Sequence, residues 1–71
     1  MRYLVVVEKG PTSYGAYVPD LPGCVAAGDT KDEVLALIRE AIEFHLEGMA
    51  QEGEPIPPPA STSELVEVAA A

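Results

Sequence analysis

The chain is poor in most of what secreted, membrane-spanning or nucleic-acid-binding proteins rely on. It has a single cysteine, Cys24, so no intrachain disulfide can form, and the paired Cys/His spacings of zinc sites are missing. Basic residues number four, against twelve Asp and Glu, for a formal net charge of −8. Phosphate backbones are held by clustered Lys and Arg, so direct nucleic-acid binding is not expected. No stretch approaches the roughly 18 consecutive apolar residues of a membrane helix. The apolar run Leu4–Val7 is too short for the hydrophobic part of a signal peptide. These features, with one free thiol, point to a cytoplasmic protein. Glycines occur singly, at Gly10, Gly15, Gly23, Gly28, Gly48 and Gly53, so neither a dinucleotide nor a P-loop fingerprint is present. No cofactor or metal site is expected.

What is present is a compact set of elements, read as one domain over residues 1–71. A chain this short buries only about 60% of its unfolded surface. Without a disulfide or a metal, association is the expected source of added stability. Arg2–Glu8 is rich in stiff β-branched valines and reads as a strand. It is apolar on both faces, as a central strand would be. Tyr14–Val18 and Cys24–Gly28 read as two more strands. The connections Lys9–Ser13 and Pro19–Gly23 are short enough to join antiparallel neighbours. Thr30 is placed to cap a helix, with Glu33 as its capping-box partner. Val34, Leu35, Ile38, Ala41, Ile42, Leu46 and Met49 recur at helical spacing. Gly53 and Pro55 mark the stop near Glu52. Four prolines among residues 55–59 make 54–63 a stiff connection, able to span about 30 Å if extended. Leu65–Ala69 reads as a last strand. The expected fold is α+β: a β-β-β-α-β order, a mostly antiparallel four-stranded sheet and one helix on one face.

One helix can cover only one face of such a sheet. The uncovered apolar face predicts a partner, either a second copy, giving a homodimer or higher oligomer, or another protein. Tyr3, Val5 and Tyr17 are the candidate contacts on the sheet. Glu40, Glu43 and Glu47 share a helical flank and form an acidic stripe suited to a basic partner. Arg39 can pair with Glu43 across one turn.

The segment Val18–Cys24, VPDLPGC, holds a carboxylate and the only thiol. Pro19 and Pro22 each fix φ and remove a donor, Gly23 permits positive φ, and Asp20 can bond nearby amides as an Asx turn. We read Pro19, Asp20, Pro22 and Gly23 as a turn that redirects the chain. A nucleophilic Cys24 needs a basic setting, and the single histidine, His45, lies far along the helix. His45 between Glu43 and Glu47 is no zinc motif, because residues two apart on a helix diverge. An enzyme is not expected. A metal-dependent nuclease using Asp20 and Asp29 is the alternative from that class.

In order, Tyr14, Ala16–Cys24, Gly28–Thr30 with Asp32 and Glu33, Glu40–Ile42, and Glu52–Pro59 resemble the HicB family of antitoxins. The resemblance runs from Met1 to about Val68. Its most specific parts are Pro19–Cys24, Gly28–Thr30 with Glu33, and Pro55–Pro58. It implies a partial RNase H-like fold of β-β-β-α-β order. It also implies binding to a HicA-type toxin, a small basic RNA-cleaving protein whose RNA-binding surface the antitoxin covers. Self-association through the sheet is implied too. The chain departs from the fuller family pattern in having no C-terminal DNA-binding segment after the last strand. The acidic cluster of an active RNase H is not recognisable.

Overall fold

The computed structural model describes residues 1–70. Strand β1 (Val6–Lys9), strand β2 (Tyr14–Tyr17) and strand β3 (Val25–Gly28) precede a 21-residue helix, α1 (Lys31–Gln51). The strands form an antiparallel meander in the order β1-β2-β3. Register places Val6 opposite Tyr17 and Tyr17 opposite Val25 on one row. On the next row, Val7 faces Ala16 and Ala16 faces Ala26. Because successive side chains alternate between faces, the second row meets the helix and the first does not.

The core confirms that alternation. Ala16, Val18, Leu21, Cys24, Val34 and Ile38 are buried together, with Tyr3, Val5, Val7 and Ala26 packed against them. The helix lies mainly over β3 and β2. Gly28 permits its close start: an added Cβ would stand 3.1 Å from the Val34 amide nitrogen.

Both ends of α1 are capped, although of the expected capping box only the Thr30 half forms among the described residues, without a bond from the Glu33 side chain to the Thr30 amide. Thr30 is extended, and its Oγ1 accepts from the Glu33 amide at 3.1 Å. At the C-terminus Gly53 takes φ +71°. Its amide donates to Ala50, and the Glu54 amide donates to Met49 at 2.9 Å. That pair of bonds is a Schellman close, which needs the left-handed backbone that glycine adopts without strain.

Two expectations are corrected. The first strand is shorter than Arg2–Glu8 and lies at the edge of the sheet, with β2 in the centre. Beyond Tyr17 the chain turns away, so residues 2–5 have no ladder partner. The fourth strand over Leu65–Ala69 does not form among the described residues, which hold three strands in one sheet.

Candidate partner-binding surfaces

The VPDLPGC segment is two successive β-turns around one buried side chain. The Leu21 amide donates to the Val18 carbonyl, and the Cys24 amide donates to the Leu21 carbonyl at 3.0 Å. Pro22 and Gly23 occupy the central positions of the second turn, and Gly23 has φ +84°, the type II arrangement. The Val18 amide closes the base on the Cys24 carbonyl. Leu21 is 0% exposed and plugs the core from this turn. It was missed in the sequence because it sits between two prolines in what reads as a loop. Cys24 beside it is buried, and burial pushes its thiol pKa up. That is the opposite of what an attacking thiolate needs.

Asp20 does not close a local Asx turn. Its Oδ2 accepts from the amides of Ala60 and Ser61, each at 2.9 Å, and its Oδ1 accepts from Ser61 Oγ at 2.8 Å. The two backbone donors of Ser61 and Ala60, then the Ser61 hydroxyl, hold the carboxyl below its usual range. Tyr3 adds a second tie, its hydroxyl donating to the Pro57 carbonyl. The Pro-rich connection is therefore a strap, fixed to the first segment at Pro57 and to the β2–β3 turn at Ser61.

The predicted contact residues divide among three surfaces. Tyr3 and Val5 are not on the open sheet face. They lie on the helix side, where with Met1, Leu35, Ile42 and Leu46 they line a groove of about 400 Å³. The groove exists because α1 sits over β2 and β3 and leaves the β1 side uncovered. Tyr17 does lie on the open face, in a row with Val6 and Val25; Val25 is 65% exposed. Glu40, Glu43 and Glu47 are all exposed. Their spacing puts Glu40 and Glu47 on the back of α1, opposite buried Ile38, and Glu43 at the rim of the groove, which it lines with Arg39. Arg39 Nε stands 3.4 Å from Glu43 Oε1, the expected one-turn pair, and the Gln51 side chain reaches Glu47.

Among the described residues no three His, Cys, Asp or Glu side chains gather closely enough to hold a metal ion. Asp20 is engaged by the strap and Asp29 is exposed. No described helix is long and apolar enough to cross a membrane.

An antiparallel three-stranded sheet under a single helix, with one face open, defines the α+β class of this protein. Residues 3–70 match the family described as "HicB_like antitoxin of bacterial toxin-antitoxin system", and the chain belongs to that family. An uncharacterized 14.9 kDa protein of Haemophilus phage HP1 is 46% identical over 80% of this chain and 43% of its own length. A UPF0150 protein of Thermoplasma acidophilum is 41% identical over 80% of this chain and 84% of its own. Antitoxin HicB 2 of Photorhabdus laumondii is 34% identical over 99% of this chain and 51% of its own. The chain thus spans about half the length of the phage protein and of the Photorhabdus antitoxin. Among solved structures, a chain of a HicA3 and HicB3 toxin-antitoxin complex superposes with a TM-score of 0.70. It is 33% identical, with 83% of this chain and 70% of that chain covered.

Proposed function

We propose that the chain is a non-enzymatic, toxin-binding antitoxin module that neutralises a small basic HicA-type toxin by covering its RNA-binding surface. The observation that carries this reading is the likeness to a chain from a HicA3 and HicB3 complex. Charge supports it: a net −8 protein draws a basic partner and speeds encounter. Glu40 and Glu47 on the back of α1, with Glu43 at the groove rim, are the proposed charged contacts, and Tyr17 with Val25 the apolar ones on the open sheet face. Tyr3 and Val5 contribute through the groove beside β1. The module would work in the cytoplasm as one domain, without cofactor or metal and without binding nucleic acid itself.

An orphan module without a toxin, self-associating as a homodimer or higher oligomer, is the second reading. It is favoured by the unpaired edge of β1, which invites another strand.

The test is RNA cleavage by a purified HicA-type toxin, titrated with this chain at several salt concentrations. Inhibition at an equimolar ratio is expected. Reversing all three charges (E40K, E43K, E47K) should weaken inhibition and flatten its salt dependence. Full toxin activity in an excess of the wild-type chain would sink the antitoxin reading. Inhibition by the triple variant equal to wild type would remove the stripe alone.

A further inference from the structure

The groove beside β1 has two walls of unequal support. One is the helix, through Leu35, Ile42 and Leu46. The other is the N-terminal segment, through Tyr3 and Val5. Residues 2–5 lie outside the ladder. Among the described residues their backbone joins no turn or loop hydrogen bond either. The polar tie of this wall is the Tyr3 hydroxyl, which donates to the Pro57 carbonyl. The position of the wall therefore depends on what holds Pro57.

Pro57 is held from a distance. Asp20 fixes the amides of Ala60 and Ser61 and the Ser61 hydroxyl. Asp20 itself stands on a turn that Leu21 plugs into the core. Between the two ties run Pro58 and Pro59. Each proline fixes its own φ and restricts the residue before it, so Pro57–Pro59 act as a polyproline II rod. From Pro57 to Ala60 the rod spans about 9 Å. Burial follows the same plan: Pro57 and Ser61 are half-buried, and residues 58–60 are exposed. The rod touches the body at its two ends. Its own stiffness, rather than packing along its length, carries position from one end to the other. A Gly- or Ser-rich spacer would join the same ends and let the Tyr3 tie wander relative to Asp20.

We propose that Pro57–Ser61 is a strut that sets the Tyr3 and Val5 wall of the groove, and that Asp20, which does not line the groove, is a positioning residue for it. The inference rests on the reading of the groove as part of the toxin contact and says how that contact keeps its shape. A wall fixed beforehand need not be ordered on binding, so less affinity is lost to ordering. Anchor, rod and tie act in series. Loss of any one frees the wall, and loss of a second adds nothing.

The experiment is backbone amide relaxation by NMR on the full chain, with variants that break each link. D20A removes the anchor. Y3F removes the tie and keeps the ring. P58G/P59G softens the rod at two exposed positions and leaves both ties in place. In wild type, Tyr3 and Leu4 are expected at order parameters of about 0.85, falling toward about 0.6 in each variant. Val7, held in the ladder opposite Ala16, should keep its value. The Ala60 and Ser61 amides of P58G/P59G should keep their protection from hydrogen exchange, because their acceptor is untouched. D20A/Y3F should lose no more order than either single variant. Tyr3 and Leu4 that stay ordered in P58G/P59G overturn the strut. So does a loss in D20A/Y3F equal to the sum of the two, because independent ties add.

Affinity for a purified HicA-type toxin is the second readout. It should fall about tenfold in D20A and in P58G/P59G alike, the effect of one or two side chains that must be ordered on binding. A fall in D20A alone would make Asp20 a direct contact and overturn its positioning role. An affinity unchanged by the loss of order would overturn it as well. A wild-type chain that does not bind the toxin sinks the antitoxin reading, while the order parameters of the free chain still decide the strut.

Discussion

The carboxylate of Asp20 holds Ser61 by both its amide and its hydroxyl, at 2.9 and 2.8 Å, across 41 residues of chain. The same oxygen that takes the Ser61 amide takes the Ala60 amide. A turn between two strands thereby fixes the path of the Pro-rich strap, and with it the direction in which the tail leaves. Asp20→Ala should free the strap while the sheet and helix persist. Hydrogen exchange is the direct measurement: the amides of Ala60 and Ser61 should lose protection, and those of α1 should keep it. Unchanged protection at Ala60 and Ser61 would show that Tyr3 and Pro57 fix the strap alone.

The same contact predicts an acid-sensitive strap. Its donors lower the pKa of Asp20 in the folded protein. A carboxyl that is more acidic when folded contributes stability that is complete above its unfolded pKa, about 3.9. That contribution is lost as the pH falls through the lowered folded value. Below about pH 4 wild type should therefore lose stability relative to Asp20→Asn, and the difference between the two should shrink steadily. Thermal unfolding of both proteins from neutral pH downward measures it. A gap that stays constant into strong acid would mean that the ionised carboxylate contributes nothing.

Leu21 makes the VPDLPGC turn a piece of the core. Truncation to Ala leaves a cavity under two turns that their own hydrogen bonds hold in place, so the site cannot readily collapse. The expected loss is about 2–5 kcal/mol, a large share of the stability of so small a domain. Pro22→Ala, which removes only a preset φ, should cost less than Leu21→Ala in a denaturant titration. Equal losses would indicate that the turn, rather than its plug, is what the core requires.

The contrast between Leu21 and Thr30 shows what the sequence makes legible. Thr30, Glu33 and Gly53 announce the helix because capping is local chemistry, read within four residues. The first three strands are equally local, each bounded by Gly or Pro turns. Leu21, Asp20 and the tail are not local. Burial of Leu21 depends on two turns folding it inward, and the partners of Asp20 lie forty residues away. Tyr3 and Val5 show the limit for the surfaces. Their alternation along the strand is plain, but which row meets the helix is decided by packing, and that put them on the groove side and Tyr17 on the open face. The apolar pattern of Leu65–Ala69 reads as a strand, yet no strand forms there among the described residues, because a strand needs a ladder partner that local pattern does not supply.

The two helix caps supply a separable pair of tests. Thr30→Ala removes the acceptor for the Glu33 amide and should cost about 1 kcal/mol. Gly53→Ala forces a side chain into left-handed backbone at φ +71° and should cost about 1–2 kcal/mol. The caps are 23 residues apart on a rigid helix, so the double variant should lose close to the sum. Denaturant titration of the four proteins checks additivity. A shortfall well beyond experimental error would reveal that one end of α1 is already frayed.

Cys24 ties these expectations to the chemistry of its thiol. It is 3% exposed, in the same cluster as Leu21 and Val18. Burial raises its pKa, so little thiolate is present near neutral pH. Alkylation by iodoacetamide should therefore wait for the turn to open and be far slower than in the unfolded chain. Leu21→Ala, which loosens the same cluster, should speed labelling by more than its effect on global stability explains. Thr30→Ala, which acts at the helix end, should speed it only in proportion to global unfolding. Fast labelling of the native wild-type protein would contradict the buried placement of the thiol and revive a reactive role for it.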